Sequence, residues 1–571
     1  MREQHPCTEI WRRYEAGREH HRRAGLYRED ERCHRFYEGE QWFGLQAGGE
    51  ELPTLNFIRP ICKYKVTTVA MNDTAIIYSP QSDDADAAAV CDLLTQFAAV
   101  QWEHCGMDAL KWRVIRGAAI TGDHYLYCYE EPRAPGLAGR GGPHLAMRAI
   151  DRSAVYLADE QEADLDRQEW ILLAERRPVA QIRREAQNAG LPADRIARIL
   201  PDEADDTQVG SGQEDEVESG EGKCTSLLML RLGPDGLRFC RSTREVVYGP
   251  EQCIPGLRHY PLCGMRWEER QGSARGVGVV GPLIPNQIEV NRTLARRAIS
   301  VKRFSFPTAV YDQDRLTNPD ALGRVGASLK VKNLAGSPLS ALVQYLTPVG
   351  VGADAAALQS ELVTLSRELE GASDAATGQV DPTQASGEAI KAARDQSALA
   401  LNEQTAAYRE MIERLARIWL ELWAVYAGEG LAVPLRGEDG RVDRVVGLPA
   451  GMLGQLEVEV KIDLSPVDPY SVLSRQMALE NALSAGWITF EEYVGALDRT
   501  SGAPRDKFRA ILERRAAQGA ADPSGEGAAE NTAGSGADDA GAGDSGAGAA
   551  QLAELLAGAL AASGRGEVTA G

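Results

Sequence analysis

The chain has 571 residues, too many for one ordinary core, and predicts roughly two to four domains. Its 43% hydrophobic and 25% charged residues are those of a folded protein. A formal net charge of -21 excludes coating of nucleic acid by bulk attraction, because phosphate binding is driven by lysine and arginine releasing counterions. The charged opening, MREQHPCTEIWRRYEAGREHHRRAG, has no apolar h-region and predicts no signal peptide. No run of 18 apolar residues exists, so no transmembrane helix is expected.

Residues 7–40 read as one polar, charge-rich helix with Trp11, Tyr14, Tyr27 and Phe36 as its larger apolar positions. Ile58–Ala70 fits a buried helix, and Ala75–Tyr78 a short strand after the Asn72-Asp73 turn. Two helical patterns fill 84–121, with stripes through Val90, Leu93, Phe97 and through Leu110, Val114, Ala118, and Gly122 ends the second. His124–Glu131 alternates as a strand does, and strand-like pieces recur at Ala146–Ile150, Val155–Leu157 and Trp170–Ala174. A helix is expected over Val179–Ala189, and strands at Ser226–Arg231 and Arg244–Tyr248. Between them, residues 202–222 are rich in Asp, Glu, Gly and Ser, and predict a solvated loop that buries too little apolar area to offset chain entropy.

The character changes near Gly272. Pro282–Phe304 reads as one helix striped by Ile284, Ile288, Asn291, Leu294 or Ala295, Ala298 and Val301. Short strands and turns follow over Pro307–Pro348, then a helix over Ala353–Glu370. Residues 371–386 are small, polar and flexible. From Ser386, a plausible N-cap, a helical pattern runs to about Ala427, roughly 60 Å if unbroken. Its stripe is Tyr408, Met411/Ile412, Leu415, Ile418/Trp419, Leu422/Trp423 and Tyr426. Leu456–Leu464 alternates as a strand. Val472–Ala485 and Thr489–Leu497 form a helical hairpin around Gly486, and Asp506–Arg515 offers a third helix. Residues 518–550 are expected to be disordered, and Leu552, Leu555, Leu556 and Leu560 to form a short amphipathic helix.

Several strings look catalytic and lack what the chemistry needs. Gly276-Val-Gly278-Val-Val-Gly281 matches G-x-G-x-x-G, but RWEERQGSA precedes it instead of a buried strand, and Arg296/Arg297 lie downstream where a carboxylate is required. Gly222-Lys223 lacks the first P-loop glycine, whose place Val217 holds, and Cys224 replaces the magnesium-binding Ser/Thr. Asp544-Ser545-Gly546 lies in the tail, where nothing holds a base and an oxyanion hole. No H-E-x-x-H occurs, and the last of eight histidines is His259. The ten cysteines, all between Cys7 and Cys263, form no C-x-x-C pair and read as buried thiols; Cys33-His34 and His104-Cys105 lack zinc-site spacing. No enzyme, cofactor or metal is therefore expected.

Four strings, in order, carry a resemblance. They are Phe36–Trp42 (FYEGEQW) with Asn56–Cys62 (NFIRPIC); Ala118–Glu131 (AAITGDHYLYCYEE); Gly276–Arg297, holding Leu283, Ile284, Gln287 and Asn291 as L-I-x-x-Q-x-x-x-N; and Gln384–Ile390 (QASGEAI). Over roughly residues 20–500 the chain resembles the portal, or head-to-tail connector, proteins of tailed bacteriophages. That resemblance implies an α+β portal-type fold: a mixed α/β wing at 1–275, stem helix 1 at 276–304, a small α/β clip at 305–350, stem helix 2 at 351–370, a tunnel loop at 371–386, the long helix and C-terminal wing strands at 387–470, a helical crown at 471–515 and a disordered tail at 516–571. It implies a dodecameric ring at the capsid vertex of the virion, made in the bacterial host cytoplasm, passing double-stranded DNA without sequence recognition in packaging and ejection. The partners implied are the terminase large subunit, head-completion or adaptor proteins, and major capsid and scaffolding proteins, with no membrane. Two alternatives stand beside it: a nucleotide-binding enzyme using Gly276–Gly281, and a monomeric phage-encoded interaction protein.

Side-chain chemistry is consistent with a conduit. Each lasting Lys/Arg–phosphate contact adds friction, and the tunnel-lining candidates Asp374, Gln379, Asp381, Gln384 and Glu388 lie in a stretch with no cation before Lys391. An ordinary linker fits the same stretch. Residues 281–340 hold nine Lys/Arg against four acids, a local surplus of five. Arg296, Arg297, Lys302, Arg303, Arg315, Arg324, Lys330 and Lys332 are the candidates for docking acidic partner surfaces, with salt bridging between ring subunits the competing use. Ile284, Ile288, Asn291 and Leu294 are the stem-packing candidates. In the crown hairpin Met477, Leu479, Trp487, Phe490 and Tyr493 are expected to pack within the hairpin or between subunits.

Overall fold

A computed structural model describes residues 6–42, 52–81, 85–131, 145–202, 222–305, 308–324, 326–333, 336, 338, 340, 342–346, 353–372, 399–426, 430–436, 442–449, 453, 458–466, 479, 481–490 and 492–493. The charge-rich opening folds as two helices, not one: α1 (Pro6–Ala24) and α2 (Leu26–Glu38). Gly25 separates them at φ 75°, a left-handed conformation that costs glycine nothing. The apolar faces differ accordingly. Ile10 and Tyr14 of α1 pack with Tyr156, Leu172, Leu227 and Met229, whereas Cys33 and Phe36 of α2 join the main core.

The chain continues through α3 (Ile58–Ala70), β1 (Asn72–Pro80), α4 (Ala85–His104), α5 (Met107–Thr121), β2 (Asp123–Glu130), β3 (Leu145–Asp151), β4 (Val155–Leu157) and β5 (Ile171–Pro178). Next come α6 (Val179–Asn188), α7 (Ala193–Ile196), β6 (Lys223–Gly233), β7 (Gly236–Ser242), β8 (Val247–Pro255) and β9 (Leu262–Arg266). The later elements are α8 (Val280–Ser305), β10 (Thr308–Tyr311), β11 (Val343–Leu346), α9 (Ala353–Leu369), α10 (Asn402–Tyr426), β12 (Leu431–Arg436), β13 (Val442–Leu448) and β14 (Val458–Pro466). The fold is mixed α/β, in keeping with the α+β expectation.

Every strand pairing in the named sheets is antiparallel. The largest sheet runs β4-β5-β6-β7-β8, a second runs β3-β2-β9, and β1-β14, β10-β11 and β12-β13 are two-stranded. β1 and β14 come from distant parts of the chain and align with Ile76 opposite Ile462. Around β2 and β9 the main core gathers α3, α5 and α10. The α10 stripe is buried as its period requires: Tyr408, Met411, Ile412, Leu415, Ile418, Trp419, Leu422 and Trp423.

Other expectations change in extent. The helix read from Ser386 starts, among the described residues, at Asn402 after turn residues 400–401, and spans roughly 37 Å; Ser386–Ala398 lies outside the described residues. β1 and β6 run longer than their alternation suggests, and the strand read over Leu456–Leu464 is Val458–Pro466. Of the strand read over Arg244–Tyr248, Val247 and Tyr248 open β8 and residues 244–246 are the turn before it; β7, β9, β12 and β13 are additional strands. The acidic residues 203–221, the third crown helix and the tail 516–571 lie outside the described residues.

The chain divides into two compact units, Met1–Asp468 and Pro469–Gly571. In the second, Gly486 turns at φ 71°. Leu479, Leu483, Ile488 and Phe490 pack around Tyr493. Thr489 and Glu492 form a reciprocal cap, the Thr489 N–H donating to Glu492 Oε2 at 2.8 Å and the Glu492 N–H to Thr489 Oγ1 at 3.3 Å. Trp487, expected to pack, is 83% exposed at the turn; Met477 lies outside the described residues.

Candidate functional site

The strings singled out in the sequence meet around α8. Its approach, residues 274–279, lies against the end of α5 with almost no room between backbones. A Cβ on Gly122 would fall 2.2 Å from the Gly276 carbonyl oxygen, and one on Gly276 would fall 2.3 Å from that of Gly122. Gly278 faces the Ala119 and Ile120 carbonyls equally closely, both 2.8 Å from its Cβ position. The Val279 N–H donates to Ala119 O (2.8 Å), and the Trp267 N–H to Gly122 O (2.7 Å). The glycines therefore serve close packing of chain on chain. Gly276 N–H donates to Asp123 Oδ1 (3.2 Å) and Val277 N–H to Glu268 O (3.0 Å). With those amides used and a fully buried carboxylate beside them, the segment has no cradle for a phosphate, which removes the geometry that the nucleotide alternative required.

About two and three turns into α8, Gln287 and Asn291 hold the extended segment before α3. Gln287 Oε1 accepts from the Phe57 N–H (3.0 Å), and its Nε2 donates to Leu55 O (2.7 Å). Asn291 Oδ1 accepts from the Leu55 N–H (3.0 Å) and from Gln287 Nε2 (3.1 Å). Its Nδ2 donates to Gln41 Oε1. Asn56 Nδ2 in turn donates to the Phe36 and Tyr37 carbonyls, at 3.2 and 3.1 Å. The residues of FYEGEQW, NFIRPIC and L-I-x-x-Q-x-x-x-N are thus one hydrogen-bonded clamp. Of the stem-packing candidates, Ile284 and Asn291 are buried, while Ile288 and Leu294 are half-buried.

An ionic network that no local pattern announced lies under the same approach. Asp30, Asp123, Arg152, Arg275 and His21 are each less than a tenth exposed. Asp123 follows Gly122 in a string already singled out, but its partners lie 29 and 152 residues away. Burial pushes the Asp30 carboxyl up to about 7 despite the Arg152 guanidinium beside it. The Glu160 carboxyl is held well below its ordinary range: burial opposes the shift, and the Arg275 charge with hydrogen bonds from His21 and Arg275 outweighs it. Burial lowers His21 and pushes the Cys33 thiol up to about 12.

The basic candidates occupy several surfaces. Arg296 is exposed and lies 3.8 Å from Glu289, which Arg292 also approaches at 3.8 Å. Arg297 reaches across to α9, donating to Gln359 Oε1 (2.9 Å). Lys302 is exposed, and the Arg303 side chain lies outside the described residues. Arg315, 3.6 Å from Asp312, is brought beside Lys330 and Lys332 by the Leu316–Val331 bridge, with the Lys332 N–H donating to Arg315 O (2.9 Å). Arg324 is exposed. Asp374, Gln379, Asp381, Gln384 and Glu388 all lie outside the described residues.

The same region exposes large apolar side chains: Phe304 on α8, Val310 on β10, Tyr345 and Leu346 on β11, and Leu358, Leu365 and Leu369 on α9, the last 84% exposed. A helix pair and hairpin with this much apolar surface suit burial against another protein. Among the described residues no His/Cys/Asp/Glu group is placed to hold a metal, and no helix is long and apolar enough to cross a membrane.

A family model described as phage P22-like portal protein matches residues 238–523, half of the chain, including α8, β10, β11, α9 and α10. No curated protein matches the chain.

Proposed function

The chain belongs to the P22-like phage portal protein family, and from that premise we propose that it forms the ring at the capsid vertex through which double-stranded DNA is packaged and ejected. The observation that supports the ring most directly is the apolar surface of α8, α9 and the β10-β11 hairpin. In a ring this surface meets the neighbouring subunit, and its removal from water contributes roughly 25 cal/mol per Å². In this reading 1–275 and 387–470 build the wing, the α8 and α9 segments the stem, 305–350 the clip, 371–386 the tunnel loop and 471–515 the crown. Asp374, Gln379, Asp381, Gln384 and Glu388 line the channel and keep it free of phosphate-binding cations. The basic residues of the stem and clip dock the terminase large subunit and head-completion proteins, and twelve subunits close the ring.

Negative-stain electron microscopy of the full-length protein, after size-exclusion chromatography with light scattering, tests the proposal. Rings with a central hole wider than duplex DNA are expected. A chain that stays monomeric at high concentration and with scaffolding protein present overturns it.

A further inference from the structure

The network beneath the approach to α8 joins α1, α2, the start of β2, the segment after β3 and the segment that leads into α8. Arg152 Nε donates to Asp30 Oδ1 (2.7 Å), and its Nη2 lies 2.5 Å from the same oxygen at an angle that makes no hydrogen bond. Arg152 Nη1 donates to Asp123 Oδ1 (3.3 Å) and to the Gly276 carbonyl (3.4 Å). Arg275 donates to Asp123 Oδ2 (3.4 Å), to both Glu160 oxygens (2.7 and 2.8 Å) and to Val155 O (2.7 Å), with its guanidinium over the Tyr125 ring. His21 closes the chain of contacts, with Nε2 2.9 Å from Glu160 Oε1. Nε2 also lies 3.1 Å from Arg275 Nη2. Nε2 thus lies between an acceptor, Glu160 Oε1, and a donor, Arg275 Nη2, while Nδ1 is buried and has no hydrogen-bond partner among the described residues.

Charge decides what this arrangement does. Three carboxyls, Asp30, Asp123 and Glu160, face two arginines, and a buried charge without its counterpart is expensive. We propose that the network is a proton-controlled latch: with a proton on Asp30 it balances and clamps α1 and α2 to the segment leading into α8, and loss of that proton loosens the clamp.

The surrounding groups support this assignment. Glu29 of α2 lies 3.8 Å from Arg152 and adds further negative charge from the solvent side. His34 of α2 and Asp151, the residue before Arg152, sit beyond the network; His20 of α1 faces His21. A cavity of about 220 Å³ opens beside the network, lined among others by His20, Glu29, Arg152, Glu160, Arg270 and Arg275.

The folded-state value near 7 for Asp30 exceeds its ordinary value of 3.8, so the stability it contributes is full below that ordinary value and is lost as pH rises through 7. His21 acts in the opposite sense. Its lowered value makes the neutral ring the stabilising form, present above the ordinary imidazole range and lost as pH falls through the depressed value. Asp30 therefore loosens the latch as pH rises through neutrality, and His21 loosens it on acidification.

Hydrogen exchange of the full-length protein by mass spectrometry at about pH 6 and about pH 8.5, corrected for intrinsic rates, tests this. If the open state returns Asp30 to its ordinary value, opening of peptides covering 18–32 and 268–280 rises about tenfold between the two. Asp30→Asn, which fixes the neutral form, flattens that rise, whereas His21→Gln keeps it. A tenfold rise that persists in Asp30→Asn overturns the latch. If Asp30→Asn does not fold, the wild-type profile decides: no step centred near 7 in those peptides, or one equally large in peptides of β6 and β7, overturns it.

Discussion

At residue scale, the consequential positions are those where side-chain volume or one amide group decides whether two chain segments can meet. Gly122 combines a left-handed φ of 117° with backbone contact to Gly276. Gly122→Ala forces both strain and separation, and is expected to cost roughly 2–4 kcal/mol, read as a lowered denaturant midpoint. A midpoint unchanged from wild type means that the two backbones do not approach as described. Gly25→Ala separates these causes: it shares the unusual φ but has nothing within 4 Å of its Cβ position, so it costs only the strain. The G-x-G-x-x-G string was visible in the sequence, and its failure as a nucleotide loop was argued there from missing neighbours. What it packs against was not visible, because Gly122 lies 154 residues away from Gly276 and nothing local pairs them.

At element scale, periodic apolar stripes were legible and interruptions were not. α10 was readable because a buried residue recurs at every turn from Tyr408 to Trp423. The break at Gly25 was hidden, since charged residues flank it on both sides and a helix that bends there has the same composition as one that continues. β12 was hidden by Pro434, a residue that a central strand excludes but a two-stranded hairpin tolerates. The Gln287–Asn291 pair shows the other limit. Its spacing placed both residues on one helical face, yet the groups they satisfy, the N–H groups of Leu55 and Phe57, belong to a segment with no regular structure. Replacing Gln287 with Ala strands the buried Phe57 N–H and removes the bond to Leu55 O. The expected cost is about 1–3 kcal/mol, with faster hydrogen exchange in 52–60. Replacement that leaves exchange in that segment unaltered means that the clamp does not hold it.

For the whole molecule, charge is distributed against its own average. A chain of net -21 carries a surplus of five cations in residues 281–340, and several sit on exposed surface near the β10-β11 hairpin. Arg315, Lys330 and Lys332 share one small patch. Such charges serve a partner weakly and additively: each exposed pair contributes up to about 1 kcal/mol, and salt screens it over roughly 8 Å. If the proposed docking of terminase is their use, a variant with Arg315, Arg324, Lys330 and Lys332 all changed to Ala still forms rings. It binds the terminase large subunit roughly ten- to a hundredfold more weakly, and with a shallower dependence on salt. Binding is measured by titration of assembled rings at two ionic strengths. Rings that assemble and bind as wild type sink the docking proposal. Rings that fail to assemble, while the wild type assembles and loses its rings in high salt, transfer these cations to the contacts between subunits. The two uses differ because docking acts after the ring has closed, whereas intersubunit salt bridges act on its closure.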